Sequence, residues 1–200
     1  MIAADKLTWM RQRLLELSEP SPEWWSFIRN NKIDLRTVLP DCGSIVVTWC
    51  KAVESIDGQF IFDFHPDGTS SVVIEGQLIG LVDGVHDFIV EDLIAWPIGS
   101  PDYFATAMGP ASGVALLGPV AAFRTPKDQS PLKLFRNPAS WLLNRCDGSV
   151  VLKPEAAHWL RQSNAPLICE DAAHARYISQ LLGCDANKRD ILIPEIRSAA

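Results

Sequence analysis

The sequence lacks an apolar run long enough to span a bilayer, because Gly, Pro or Asp interrupts every long hydrophobic stretch. The N-terminus, MIAADKLTWMRQR, also lacks the apolar core of a secretory signal. We therefore expect a cytoplasmic protein with no membrane association. Its 200 residues, of which 48% are hydrophobic, suffice for one sizeable core and predict a globular chain.

Paired cysteine motifs are missing too. The chain has five cysteines, an odd number, and none of them belongs to a CxxC pair. This pattern argues against a disulfide framework and against the usual structural zinc spacings.

The sequence also contains no GxSxG nucleophile elbow and no Gly-rich phosphate loop. We expect reduced, mostly buried thiols, no metal and no cofactor.

Lys and Arg are absent between residues 52 and 123. The acidic residues of this segment are Glu54, Asp57, Asp63, Asp67, Glu75, Asp83, Asp87, Glu91, Asp92 and Asp102. The rest of the chain therefore carries a net charge of about +4. Because strands alternate faces, we expect many of these carboxylates on the solvent side of one small sheet. The chain's own basic segment, a basic partner protein or a divalent cation would stabilise such a surface, and we favour the first two.

The N-terminal segment is helical and aromatic. Leucines and a methionine at spacings of three and four predict an amphipathic helix over 5–18, capped by Asp5. A second helix is predicted from Ser21, which precedes a proline. Residues 40–43, PDCG, predict a turn, and the β-branched run 44–50 predicts a strand.

The middle of the chain consists of short β-rich runs separated by Gly and Pro, which predicts antiparallel pairing. The runs are 59–64, 70–76, 86–96 and 113–118. Residues 60–64 and 71–74 flank HPDG, so we expect a hairpin across this turn, with Gly68 in a positive-φ conformation.

Helices and strands alternate after residue 123, with a short helix first predicted from Asn137. The further predicted elements are a strand at 149–152, a helix at 154–162, a strand at 166–169, a helix at 171–182 and an edge strand at 191–193. The strand, helix and strand in the middle form a tight βαβ unit, so we expect 150–152 and 167–169 to pair in parallel. The whole chain is predicted to be α+β and a single domain. Its parts are a helical appendage at 1–40, a β-rich part at 44–120 and an α/β part at 121–200.

Two stretches of this chain, DLIAWPIGSPDYFATAMG and PLKLFRNPASWLLNRCDGSVVLK, resemble a family of uncharacterised bacterial proteins, some of them encoded in prophage-like regions. The similarity covers roughly residues 60–169 and leaves the N-terminal helices outside. The shared motifs are apolar and turn-like, so they bear on the fold more than on chemistry. The resemblance implies a bacterial and cytoplasmic origin, which for some members is linked to prophages, and it carries over no site residue.

Two short segments combine histidine with aspartate. The first contains Asp63, His65 and Asp67, and the second contains Asp83, His86 and Asp87. If the two segments converge, their carboxylates and imidazoles suit metal-dependent hydrolysis, with Asp63, His65, Asp83, His86 and Asp87 as candidate catalytic residues. The competing interpretation, which we prefer, is two polar turns, since Pro-Asp-Gly is ordinary turn chemistry.

A second candidate site follows from topology. Ligands of parallel sheets bind beyond the carboxyl ends of the strands, and Lys153, Glu170 and Asp171 are expected there. Helix capping by Asp171 and surface placement of Lys153 and Glu170 explain the same residues, and we favour that explanation. His174 lies on the apolar face of its helix and is predicted to be a partly buried core histidine.

A basic run interleaved with aromatic residues follows the acidic segment. Its cations are Arg124, Lys127, Lys133, Arg136 and Arg145. Such a run is able to track a phosphate backbone and stack bases, but the chain's net charge of −6 disfavours nucleic acid. The sequence therefore favours a non-catalytic interaction protein that presents an acidic β surface to a basic partner. The alternatives are a metal-dependent hydrolase or nuclease, and a nucleic-acid-associated accessory protein.

Overall fold

The computed structural model describes residues 3–17, 21–54, 60–82, 85–118, 131–163, 165–183 and 191–193; residues 3–4, 79–82 and 85–88 are described by their backbone alone. The helices are α1 (Ala3–Glu16), α2 (Pro22–Asn30), α3 (Leu35–Cys42), α4 (Pro138–Leu143), α5 (Ala156–Gln162) and α6 (Ala172–Leu182). The strands are β1 (Ile45–Glu54), β2 (Phe60–Phe64), β3 (Thr69–Val82), β4 (Val85–Pro97), β5 (Ala105–Thr106), β6 (Leu116–Leu117), β7 (Leu132–Phe135), β8 (Ser149–Val151), β9 (Leu167–Cys169) and β10 (Ile191–Leu192). The predicted α+β class is confirmed.

Capping residues set the starts of the N-terminal helices. Ser21 caps α2 by accepting the Trp24 N–H, as predicted. α1 begins at Ala3, so Asp5 lies in its first turn and the prediction of Asp5 as cap is wrong. The turn predicted at 40–43 is also wrong, because α3 runs through Pro40. Asp34 caps this helix, which continues only two residues beyond the proline before Gly43 ends it.

A closed barrel contains the first five strands, in the order β1, β2, β5, β4, β3. The first half of β1 pairs with β3 and its second half pairs with β2, both antiparallel. β1 therefore lies between β2 and β3, and the predicted hairpin of these two strands is wrong. The HPDG segment instead crosses over β1 at Cys50, which faces Phe64 on one side and Thr69 on the other.

Close backbone contact explains the glycine in this crossing. A Cβ added to Gly68 would lie 2.3 Å from the carbonyl oxygen of Cys50 and 2.9 Å from its nitrogen. The φ angle of Gly68 is not left-handed, so the predicted reason for a glycine at this position was wrong. Only a residue without a side chain lets the two backbones approach this closely.

A second sheet contains the remaining strands in the order β10, β9, β7, β8, β6. β8 and β9 run parallel and α5 crosses between them, as predicted, but β7 lies between them and pairs with both. The predicted direct pairing is therefore wrong, because the crossover skips one strand. The edge strand predicted near 191 is confirmed as β10, which pairs in parallel with β9.

Three apolar clusters join these layers. Met10 and Leu14 of α1 pack with the residues that fill the barrel, including Phe62. The outer barrel face packs against α2, α3 and α4. α5 and α6 pack on the other face of the second sheet, around Leu160. In the described part of the chain, no helix is long and apolar enough to cross a membrane.

Candidate functional site

The outer face of β1 changes from buried to exposed at Trp49. Side chains of a strand alternate between its faces, so Ile45, Val47 and Trp49 all point outward. The first two are buried, while 54% of Trp49 is exposed. Val53, further along the same face, is also exposed. An uncovered tryptophan thus lies at the edge of an otherwise packed surface.

A groove of about 300 Å³ opens beside Trp49, between the barrel and the ends of α1 and α2. It is lined by Glu16, Leu17, Ser21, Glu23, Val47, Thr48, Trp49 and Ser70. Arg13 forms an ion pair with Glu16 at 2.7 Å. Among the described residues, Glu23 has no ion-pair partner. The groove therefore combines an aromatic wall with hydroxyl groups and two carboxylates.

The first His/Asp segment lies on the other side of Trp49. The Asp63 carboxylate accepts the N–H of Phe64 at 2.8 Å, and Lys51 lies directly opposite Asp63 in the register. β2 ends at Phe64, so His65 lies in the crossing segment, where its N–H donates to the Trp49 carbonyl. The Asp67 N–H in turn donates to His65 Nδ1 at 3.1 Å. The side-chain contacts of Asp63 and His65 are with residues one or two positions away in the chain, while their backbones pair with β1.

The second His/Asp segment is described only in part. Asp83 lies outside the described residues, and the side chains of His86 and Asp87 are outside them as well. Their backbones pair with Leu81 and Gly80 in the β3–β4 ladder. Convergence of the two segments therefore stays a hypothesis. Where side chains are described, no three His, Cys, Asp or Glu residues lie together in a way that could hold a metal ion.

Asp92 departs from the expectation that the acidic residues share a solvent face. Its exposure is 0%, and its Oδ1 accepts the N–H groups of Leu93 at 2.7 Å and Met108 at 3.0 Å. Within the described structure, Oδ2 has no hydrogen-bond partner. Burial raises the pKa of Asp92 to about 6, although the Ser112 hydroxyl, these two N–H groups and the charge of Lys153 favour the carboxylate. Nothing local in the sequence distinguishes Asp92 from the other acidic residues of its segment.

Lys153 is buried, so the prediction of a surface position is wrong. Its ammonium donates to the carbonyls of Gly109 and Ser112, each at 2.8 Å, and more weakly to Pro110 at 3.5 Å. Burial lowers the pKa of Lys153, and the nearby charges of Asp92 and Glu155 oppose this effect. These carbonyls belong to the 3-10 turn Gly109–Ala111 and to Ser112 directly after it, so this segment fixes the Lys153 side chain.

The carboxyl ends of β7 and β9 meet in a charged cluster. Arg136 follows β7, and its side chain forms a short ion pair with Asp171 and a longer one, at 3.8 Å, with Glu170. Glu170 also accepts the Arg136 N–H at 3.0 Å. The His174 N–H and the Arg136 guanidinium lower the pKa of Asp171, which caps α6 as predicted. The predicted site at Glu170 and Asp171 is thus occupied by a cation of this chain.

His174, next to this cluster, is a core histidine as predicted, with 3% of its surface exposed. Its Nδ1 accepts the Glu170 N–H at 3.4 Å. Burial and the charge of Arg136 lower its pKa, and Asp171 opposes this shift. The His174 side chain is therefore part of the packing between α6 and the second sheet.

A second cleft, of about 240 Å³, lies between the barrel and the carboxyl end of β8. It is lined by Phe60, Asp102, Tyr103, Phe104, Thr106, Leu152 and Lys153. Asp102 accepts a hydrogen bond from the Asn137 side chain at 3.0 Å. Of the residues predicted beyond the strand ends, Lys153 therefore lies at a cleft, while Glu170 and Asp171 lie in the cluster with Arg136.

Two described members of the basic run, Lys133 and Arg136, engage acids of the same half. Lys133 forms an ion pair with Asp147 at 2.6 Å, and Arg136 is held in the cluster at β9. Arg145 is exposed and has a left-handed φ of 61°. Arg124 and Lys127 lie outside the described residues. The run is therefore partly neutralised where its side chains are described.

Comparisons of this chain with protein-family models, with curated proteins and with solved structures give no match. The resemblance to a prophage-associated family stays a prediction.

Proposed function

We propose that this protein is a non-catalytic interaction module that binds a basic segment of a partner protein at the groove beside Trp49. The observation that carries the proposal is the exposed indole of Trp49 between carboxylates. Glu16 and Glu23 line the groove with it. Asp63 and Asp67 are exposed on its other side.

Tryptophan at the edge of a groove is well suited to protein recognition. It supplies a large apolar area at low cost in side-chain entropy, and tryptophans are enriched among the residues that dominate interface energetics. The barrel holds the Trp49 backbone in register with Ser70 of β3, so the anchor does not need to be ordered on binding.

The surrounding charges favour a basic partner. An Arg or Lys side chain over the indole face gains a cation–π interaction of roughly 0.5–2 kcal/mol. Glu23 offers that cation a carboxylate, and Glu16 offers a second one that Arg13 already engages. Lys51 reduces the negative charge on the far side of Trp49, so the groove itself is the preferred place for the cation.

Calorimetric titration with a short flexible Arg/Ser peptide tests this proposal. We expect saturable binding that weakens as salt rises, because the attraction is partly screened. Trp49→Ala should raise the Kd about twofold to thirtyfold, the range expected for loss of one cation–π contact. An Asp/Ser peptide of the same length should not bind.

Trp9→Ala is the matched control. Trp9 has a similar exposure, 47%, but does not line the groove. Its replacement should leave the Kd unchanged. Equal affinity of the Trp49 and Trp9 variants for the Arg/Ser peptide, or no binding of that peptide by the unmodified chain, would refute the proposal.

A further inference from the structure

The cleft at the end of β8 lies where the second sheet reverses its winding. The chain leaves β7 towards α4, which packs on the barrel side of the sheet. It leaves the neighbouring strand β8 towards α5, which packs on the opposite side. In open α/β sheets, ligands bind in the crevice that such a reversal opens beyond the carboxyl ends of the strands.

Aromatic side chains form the rim and wall of this cleft. Tyr103 is 67% exposed and Phe60 is also exposed, although both are large side chains that folding normally covers. Phe104 is half-buried and packs on the apolar cluster between the barrel and α4. Rings arranged around a narrow cleft offer stacking surfaces to a flat ligand.

Three polar side chains line the cleft together with these rings. Thr106 and Lys153, both buried, lie on its floor. Thr106 Oγ1 accepts the Gly109 N–H at 3.0 Å, which leaves its hydroxyl proton for another acceptor. The protons of Lys153 are held by backbone carbonyls, so it contributes a fixed positive charge that favours an electron-rich atom. Asp102, which is exposed, contributes a carboxylate oriented by Asn137.

We infer that this cleft binds the base of a free nucleoside or nucleotide, in particular a ring that carries a nitrogen acceptor beside an exocyclic amino group, as adenine and cytosine do. The ring stacks on Tyr103 and Phe60. The ring nitrogen accepts the Thr106 hydroxyl proton, and the amino group donates to Asp102. The cleft volume of about 240 Å³ suits a single ring system better than a larger ligand. This inference is independent of the partner groove, which Trp49 defines.

Titration of the full chain with adenosine and with cytidine tests the inference. We expect saturable binding of both. N6,N6-dimethyladenosine, which keeps the ring but cannot donate to Asp102, should bind at least about fivefold more weakly than adenosine. A short oligoadenylate is titrated in parallel. Adenosine that binds at least as tightly as the oligonucleotide supports a free nucleoside as ligand, whereas binding of the oligonucleotide alone contradicts it.

Variants locate the binding in the cleft. Tyr103→Ala should weaken adenosine binding at least about fivefold, the loss expected for one stacking contact, while Tyr103→Phe retains it. Tyr177→Ala removes a tyrosine of similar type on α6 that does not line the cleft, and Trp49→Ala alters the partner groove; both should bind adenosine normally. No saturable binding up to about 10 mM, the weak end of specific recognition, would overturn the inference. Equal affinity of the Tyr103→Ala and Tyr177→Ala variants would overturn it too.

Discussion

At Gly68 the chain passes so close to the backbone of Cys50 that no side chain fits between them. Pro66, Asp67 and Gly68 look like an ordinary hairpin turn, and sequence alone gives no sign that this segment crosses another strand. Asp92 is a comparable case, since its burial depends on the N–H of Met108, which is 16 positions away in the chain. Single residues of this kind take their roles from non-local contacts.

Gly68→Ala should destabilise the protein by about 1–3 kcal/mol, the usual range for forcing atoms into a packed site. Gly68→Val should cost more, because the backbone of Cys50 cannot move aside as a flexible side chain would. Urea unfolding measures both. Gly99→Ala is the control, since an added Cβ there meets nothing within 4 Å, and its effect should stay within about 0.5 kcal/mol. Equal stability of the two alanine variants would contradict the crossing.

Asp92 makes the free energy of unfolding depend on pH, and its raised pKa sets the direction of this dependence. Burial raises its pKa to about 6, above the value of about 4 in an unfolded chain. Between these values the folded state keeps a proton that the unfolded state has lost. The contribution of Asp92 to the free energy of unfolding is therefore fully present below about pH 4. It falls by about 1.4 kcal/mol per pH unit as the pH rises towards 6.

Asp92→Asn removes this titration and keeps an oxygen for the N–H groups of Leu93 and Met108. Relative to the unmodified protein, the variant should become more stable by up to about 3 kcal/mol between pH 4 and pH 7. Unfolding free energies of both proteins across this range give the result. A difference that does not change with pH would show that Asp92 does not titrate as described.

The individual helices and strands were predicted from the sequence more accurately than their arrangement in space. The cap at Ser21, the proline that follows it and the alternation in β2 are local signals, and each produced the expected helix or strand. Strand neighbours are set by packing between distant segments, so the insertion of β7 between β8 and β9 could not be deduced from the βαβ pattern.

The candidate sites also depend on contacts between distant segments, which the sequence does not reveal. The strand-end rule pointed to Lys153, but the aromatic residues of its cleft come from the barrel.

Helix α5 owes its position to Leu160, which is completely buried between this helix and the second sheet. Leu160→Ala should lower the free energy of unfolding by about 2–5 kcal/mol. Leu143→Ala is the matched substitution on α4, where the leucine is about half exposed, and should cost much less. Denaturant unfolding of the two variants compares them directly. Similar losses would mean that the α5 face is not the packed one.

Over the whole molecule, charge and exposed aromatic surface are unevenly distributed. Described cations of the basic run are largely engaged by acids of their own half, at Asp147, Glu170 and Asp171. On the barrel side, Arg11 approaches Glu75 at 3.9 Å, while Glu54, Asp63, Asp67 and Asp102 remain exposed. The proposed basic partner would meet this surface where Trp49 and the carboxylates of the groove lie together.

Reversal of the groove charge tests this central claim most directly. Glu16 and Glu23 are both exposed, so Glu16→Lys with Glu23→Lys should leave the fold intact, at the small cost of the Arg13–Glu16 ion pair, and a cooperative melting transition verifies this. The account predicts that the double variant loses affinity for the Arg/Ser peptide and gains affinity for the Asp/Ser peptide, since like charges now repel the first and opposite charges attract the second. Unchanged binding of the Arg/Ser peptide by the folded double variant would contradict the account.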